Sequence, residues 1–382
     1  MHDQRLDRLA EVLVHYSVGV RKDDLVIITG TAVTEPGLAA VYREVLAAGG
    51  HPWVRIQSER CKEIHLKHAN RAQLLHTSPF DKFPVSKAQV YIALWGEENT
   101  RNLSNADPAK QALASQARKP ILKAIMTREA KPAGDPDRIR WVGTQYPTNA
   151  AAQDAEMSLT EYADFVFAGG KLDDKDPVGA WKRLGVAQQR LADFLGRGRE
   201  MHIRTPQGTD IRLGIRGRHW ENCCGHANFP DGEVFTGPIE DATEGVVKFS
   251  FPAVTSGREV LDVRLVFRAG RVVEASASKN EDFLFKMLDQ DRGARTLGEL
   301  ALGTNYAIRQ YTRNTLFDEK IGGTVHFALG AGYPETGNAN QSGLHWDMVV
   351  DLRGGGHIEV DGVRINENGR FLRPEWPAPA EP

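Results

Sequence analysis

The sequence predicts an α/β N-terminal domain with a largely parallel sheet over residues 1–185, and an α+β C-terminal domain with mainly antiparallel strands over 186–382. Three observations predict it. Helical stripes alternate with short apolar runs in the first half, and apolar and polar residues alternate between turn signals in the second. Between them, residues 168–177 are polar and carry Gly169, Gly170 and Pro177, the composition of a linker. At 382 residues the chain is also too long for one ordinary core and comfortable for two.

In the first half, Leu6, Leu9, Leu13 and Val14 form a helical stripe, and Asp24–Gly30 is a short apolar run ending in glycine. A helix follows over about 35–48, with Pro36 in its first turn and Gly49 and Gly50 after its end. Further strands are predicted at Pro52–Ile56, Gln89–Leu94 and Arg138–Val142, with helical segments between them. Strands separated by helices imply parallel crossovers. No G-x-G-x-x-G fingerprint follows Gly30, so the dinucleotide-binding reading has little support.

In the second half, a helix over about 179–196 carries Trp181, Leu184, Leu191 and Phe194 on one side. Met201–Leu213 reads as a hairpin through Gln207 and Gly208. Between Val260 and Ala275, Leu261, Val263, Leu265 and Phe267 alternate with polar residues before a turn at Ala269 and Gly270. A helix over about 280–291 turns Phe283, Leu284, Met287 and Leu288 inward, and His357–Ile365 is a hairpin on Asp361 and Gly362.

Composition narrows the function classes. Lys plus Arg is 48 against 50 for Asp plus Glu, a net charge of -2 that supplies no attraction to nucleic acid or an anionic membrane. No apolar run approaches the roughly 20 residues of a membrane helix. The first residues lead directly into an amphipathic helix, without an apolar signal core. The three cysteines, Cys61 and the adjacent Cys223 and Cys224, are too few for a disulfide framework. A cytoplasmic protein is the expectation.

Histidines and carboxylates concentrate in three short segments beside glycines. On a strand His345 and Asp347 share a face, while Trp346 and Met348 point to the other. In Gly322–Gly330, Val325, Phe327 and Leu329 fill one face, and His326 stands between the small residues Thr324 and Ala328 on the other. Glu233 follows the turn at Pro230, Asp231 and Gly232, and Glu299 sits in the apolar run Leu297–Gly303; a buried carboxylate in such company needs a partner. Each feature alone reads as an ion pair, a core histidine or a surface glutamate. Together, two imidazoles and three carboxylates suit a pair of divalent ions, which can share and acidify a water and polarise a carbonyl.

These segments, in order, resemble the aminopeptidase T/aminopeptidase S family of metallo-aminopeptidases. The likeness runs through Pro230–Thr236 with Glu233, Lys279–Phe283, Leu297–Asn305 with Glu299, Phe317–His326, Gly332–Gly337 with Tyr333, and His345–Met348; Met157–Phe165 also resembles the family. It covers nearly the whole chain and is densest from 228 to 353. The resemblance implies a cytoplasmic exopeptidase that acts on short peptides with two divalent metal ions (zinc, cobalt, manganese or magnesium) and works as a homodimer. It implies Glu233, Glu299, His326, His345 and Asp347 as metal ligands, with Glu299 bridging, and Tyr333 as a donor to the tetrahedral oxyanion. The chain departs from the expected pattern at Asn338, where a second glycine would stand.

Two other readings compete. His326, His345 and Asp347 form a 2-His-1-carboxylate set, which suits a non-haem Fe(II) ring-cleaving dioxygenase of the dihydroxypyridine type. A non-catalytic binding protein on an old fold is the third. Cys223, Cys224 and His226 read as a packed strand edge, and His65 and His68 as a solvated helix face. Arg216, Arg218 and Arg313 are candidates for contact with a substrate carboxylate.

Overall fold

The computed structural model describes residues 3–255 and 257–379. Two compact units are formed, one from residues 1–178 with 225–230, the other from 179–224 with 231–382. The first is an α/β unit around a five-stranded parallel sheet. Its strand order is His51–Gln57, Leu25–Thr31, Val90–Trp95, Arg140–Gln145 and Asn228–Phe229. Val26, Ile28, Val90, Ile92 and Val142 are buried, as expected of strands covered by crossover helices. The helix Glu35–Ala47 starts with a proline in its first turn and stops before Gly49, whose φ of +82° a side chain would resist. The two-residue strand Asn228–Phe229 is too short to register as a period in the sequence.

The second unit holds two larger antiparallel sheets. One has eight strands in the order Arg271–Ser276, Arg264–Arg268, Thr243–Lys248, Asp210–Gly214, Glu200–Arg204, His357–Val360, Val363–Glu367 and Arg370–Phe371. The other has five, in the order His345–Asp351, Thr324–Gly330, Leu297–Gly303, Glu233–Thr236 and Glu221–Cys223. Both hairpins expected from turn chemistry are present: residues 201–213 reverse around Gly208, and residues 357–365 around Asp361 and Gly362, both at positive φ. The expected run from Val260 to Ala275 is corrected in one respect. Asp262 adopts φ 53°, so Arg258–Val260 pairs with Ala253–Thr255 in a separate two-stranded sheet, and the main strand begins at Arg264.

One core serves this unit. Val234, Leu300, Leu302, Val325, Phe327, Trp346 and Val350 from the five-stranded sheet pack into the same cluster as Met201, Ile203, Ile211, Leu213 and Leu265 from the eight-stranded one. The helix Glu281–Leu288 closes part of it with fully buried Leu284 and Leu288. Each such side chain contributes about 1.5–3 kcal/mol through burial. Because strand residues alternate, this apolar face leaves the opposite face of the five-stranded sheet for other chemistry. Among the described residues no helix is long and apolar enough to cross a membrane.

Candidate metal centre

Glu233, Glu299, His326, His345 and Asp347 lie on four consecutive strands of the five-stranded sheet. Cross-strand register brings them to one place. Ala328 lies between Glu299 on one neighbouring strand and Asp347 on the other, Gly330 pairs with His345, and Gly303 pairs with Glu233. Small residues therefore stand between the long polar ones. The ladder slips between Leu297 and Glu299, and Gly298 makes the slip possible: a Cβ there would lie 2.1 Å from the Ala331 carbonyl oxygen.

The other four side chains converge on Glu299. His326 Nε2 is 3.2 Å from Glu299 Oε1 and 3.4 Å from Glu233 Oε2. His345 Nε2 is 3.5 Å from both Glu299 Oε2 and Asp347 Oδ1. His345 Nδ1–H donates to the Ala331 carbonyl at 2.9 Å, which leaves Nε2 as the ring nitrogen that faces Glu299 and Asp347. Gln188, fully buried, fixes the start of the Glu233 strand by donating to the Glu233 carbonyl at 2.9 Å, and itself accepts from Thr304 Oγ1 at 3.0 Å. Tyr333 stands at the rim, 38% exposed, its ring edge-on to His345 at 5.5 Å and tilted against Phe235 at 5.1 Å.

Electrostatics point to a shortage of positive charge. Burial pushes the Glu233 carboxyl up to about 8, against the pull of Lys320, and burial with the Glu319 charge pushes Asp347 up to about 6. Burial alone would lower the His326 imidazole, but its hydrogen bond to Glu299 and the Glu233 and Glu299 charges raise it to about 9. Burial would raise Glu299 as well; His326, His345 and Lys320 outweigh it and hold its pKa below the usual carboxylate range. The Tyr333 phenol is pushed up by burial and then by Glu299 and Asp347, so it stays protonated.

The donor set fits divalent ions. Ligand atoms of Glu233, Glu299 and His326 lie within 4.8 Å of one another, and so do those of Glu299, His345 and Asp347. Glu299 belongs to both groups. Glu233 Oε2 and Asp347 Oδ1 are buried with no hydrogen-bond partner among the described residues, as oxygens reserved for a cation would be. His326, His345 and Asp347 do not form such a compact group among themselves in the described residues.

Three neighbours went unread in the sequence. Lys320 is only 1% exposed, and its Nζ lies 2.7 Å from Glu233 Oε1, 2.5 Å from Glu319 Oε1 and 3.9 Å from Asp231 Oδ1. Asp231 shares a donor group with Cys223 and Glu233, and Glu319 shares one with His326 and Asp347. The run Asp318, Glu319, Lys320 has the composition of a solvated turn; its only signal was its place inside the segment Phe317–His326 that carries the family likeness. Cys223 lies on the edge strand Glu221–Cys223, paired with Glu233, and burial raises its thiol pKa well above the ordinary value. Of the three candidate arginines, Arg218 is paired with Glu240 and Arg313 with Glu259, each at 2.6 Å, while Arg216 is exposed.

Asp318 yields a pH prediction. It accepts from the Thr312 N–H at 2.7 Å and hydroxyl at 3.0 Å, yet burial pushes its carboxyl up to about 8. The unfolded chain ionises near pH 3.9, so between about 4 and 8 the native state binds more protons. Stability of the metal-free protein is therefore expected to fall as pH rises through that window, by at most about 1.4 kcal/mol per pH unit from this group. In urea denaturation between pH 5 and 8, Asp318→Asn should show a flatter profile than the parent.

The sequence profile of the thermophilic metalloproteases (M29) matches residues 2–371. Aminopeptidase 2 of Geobacillus stearothermophilus is 25% identical over 94% of both chains. Aminopeptidase T of Thermus thermophilus is 27% identical over 94% of this chain and 95% of its own. Among solved structures, wild-type AmpT from Thermus thermophilus superposes with a TM-score of 0.84 at 24% identity, covering 97% of this chain and 99% of that one. A 2,5-dihydroxypyridine dioxygenase from Pseudomonas putida KT2440 superposes with a TM-score of 0.62 at 13% identity, covering 98% and 99%. The two superpositions speak to the fold.

Proposed function

The chain belongs to the family of thermophilic metalloproteases M29 and is a metallo-aminopeptidase; on that premise we propose that it removes N-terminal residues from short peptides at a site for two divalent metal ions. The observation that carries this reading is the sharing of Glu299 between two compact donor groups, one with Glu233 and His326, the other with His345 and Asp347. In this reading Glu299, common to both groups, would hold the ions together with Glu233, His326, His345 and Asp347. Ions held there would polarise the scissile carbonyl and lower the pKa of a water between them.

The chain's own residues supply the rest. The Ala331 carbonyl keeps His345 in the tautomer that presents Nε2. Lys320 occupies Glu233 Oε1 and leaves Oε2 facing His326. Tyr333, protonated at working pH, donates a hydrogen bond to the oxyanion that forms when the carbonyl is attacked. The metals are drawn from zinc, cobalt, manganese and magnesium, since carboxylate and imidazole donors accept all of them. A cytoplasmic homodimer acting on short peptides completes the proposal, on the family likeness.

The dioxygenase reading keeps the fold of the second superposed structure and draws its motivation from His326, His345 and Asp347. Against it stands the placement of Glu233 and Glu299, both within 3.4 Å of His326. The test is release of chromophore from a panel of aminoacyl p-nitroanilides by metal-stripped protein with zinc, cobalt, manganese, magnesium or iron(II) added back. Metal-dependent release is the expected result. No release, together with iron-dependent oxygen uptake on a dihydroxypyridine, would reverse the order of the two readings.

A further inference from the structure

A hydrogen-bond donor lowers a barrier most when it already stands where negative charge develops, since a donor that must first be moved into place loses part of its effect. Tyr333 is poorly placed to hold itself. It is 38% exposed, in extended backbone, on the loop between the strands Thr324–Gly330 and His345–Asp351. Its ring leans on Phe235 and His345. What fixes this loop therefore fixes the hydroxyl.

Asn338, five residues on, is 2% exposed. Its side-chain amide donates to the Pro238 carbonyl at 3.0 Å and to the Leu297 carbonyl at 3.4 Å, and its Oδ1 accepts from the Asn340 N–H at 2.9 Å. Pro238 lies just beyond the strand that carries Glu233, and Leu297 opens the strand that carries Glu299. Two glycines make the seat. A Cβ at Gly237 would lie 2.3 Å from Asn338 Cβ, and one at Gly332 would lie 2.1 Å from its Oδ1. The glycine that the family pattern leads one to expect at 338 would have no such donor. We propose that Asn338 is a positioning residue: it ties the Tyr333 loop to the strands of Glu233 and Glu299, and so sets where the Tyr333 hydroxyl meets the oxyanion. The inference rests on the aminopeptidase reading above and on the role of Tyr333 in it.

The chain between the two residues is closed on itself. Thr336, fully buried, donates to the Tyr333 carbonyl through its N–H at 3.0 Å and its hydroxyl at 2.6 Å, and the Gly337 N–H donates to Pro334 at 2.9 Å. A turn held in this way passes a shift at Asn338 on to Tyr333. A second brace follows directly. The Ala339 N–H donates to Glu240 Oε1 at 2.7 Å, and Arg218 donates to Glu240 Oε2 at 2.6 Å. Burial would raise the Glu240 carboxyl, but the Ala339 N–H and Arg218 outweigh it and hold it below the ordinary value, so it stays ionised. Arg218, expected from the sequence as a candidate for a substrate carboxylate, is committed to this brace. Both braces support the donor from outside the metal-ligating set.

The test compares wild type, Asn338→Ala, Tyr333→Phe and the double variant, each metal-loaded and with metal content measured. On leucyl p-nitroanilide, Asn338→Ala is expected to lower kcat about 10- to 100-fold with KM within about threefold, the pattern of a donor misplaced in the transition state. In the Tyr333→Phe background the same substitution should cost less than about threefold, because the group it positions is already gone. Equal losses in both backgrounds overturn the proposal, as a merely structural role would give them. So does an unchanged kcat in Asn338→Ala, or a loss that follows metal content. Without metal, amide exchange over residues 331–340 is expected to run at least about tenfold faster in Asn338→Ala than in wild type, and equal rates count against it too. Should Asn338→Ala lose its cooperative thermal transition, Glu240→Ala releases the same loop at Ala339 and is expected to lower kcat in the same Tyr333-dependent way; an unchanged kcat there would sink the idea. Faster exchange in the variant with no turnover by wild type would count against the hydrolytic reading alone, and turnover with additive losses against this proposal alone.

Discussion

Replacing Glu299 with glutamine is expected to reduce kcat/KM for aminoacyl p-nitroanilides by at least about 10²–10³-fold, the cost of losing one central electrostatic group in other enzymes. The physical reason is its position. Its Oε1 faces His326 at 3.2 Å and its Oε2 faces His345 at 3.5 Å, so one carboxylate serves both donor groups. An amide of the same shape has a single oxygen and no negative charge, and cannot serve both cations at full strength. The fold should survive, because Gln occupies the same volume beside Gly298 and the apolar side of the strand is untouched. Elemental analysis and a melting curve separate the two effects. Activity within a few-fold of wild type at full metal content would remove Glu299 from the bridging role.

Lys320→Met is expected to destabilise the metal-free protein by about 3–5 kcal/mol, the usual penalty for removing one partner of a buried ion pair. Its ammonium is nearly inaccessible and faces Glu233, Glu319 and Asp231 at once. Burial would lower the lysine pKa, but Glu233, Glu319 and Asp231 outweigh it and hold it well above the ordinary value. Its stabilisation is therefore complete below the unfolded pKa near 10.4, and is lost only as pH rises through the still higher native value. In the Met variant the abandoned carboxylates recover by taking up protons, so its native state binds more protons than the unfolded chain. Its deficit should be smallest near pH 5 and grow toward pH 8, measured by urea denaturation of both proteins without metal. A deficit below 1 kcal/mol at pH 8 (about a fivefold change in the folding equilibrium) would mean that the carboxylates are already relieved by other means.

Both predictions concern the same charge balance. Asp231, Glu233, Glu299, Glu319 and Asp347 bring five carboxyl groups to a space where Lys320 is the only ammonium among the described residues. Under the proposed reading, two divalent ions and one ammonium would neutralise five carboxylates. The raised pKa values of Glu233, Asp347 and His326 express the same need in the protein without metal, where protons take up part of the deficit.

Much of the architecture was legible because it depends on local patterns. Strand alternation in Thr324–Gly330 and His345–Asp351 assigned Val325, Phe327, Leu329, Trp346 and Met348 to one face, and all five are buried in the core. Turn chemistry at Gly208 and at Asp361–Gly362 placed two hairpins. Sequence pattern together with the family likeness named Glu233, Glu299, His326, His345 and Asp347; the folded chain sets them on four neighbouring strands around one point. Periodicity and turn residues act over a few positions, and so they can be read without knowing the partners.

Long-range pairing could not be read in that way. The slip at Gly298, the break at Asp262 and the two-residue strand Asn228–Phe229 each depend on what lies across a ladder, not on neighbours in the chain. The same holds for Asp318, Glu319 and Lys320, whose composition belongs on a surface; the burial of Asp318 and Lys320 and the half-burial of Glu319 follow from packing against distant strands. Residue type establishes what chemistry a side chain can perform. Which charges become desolvated, and therefore strong, is decided by the strands that close around them.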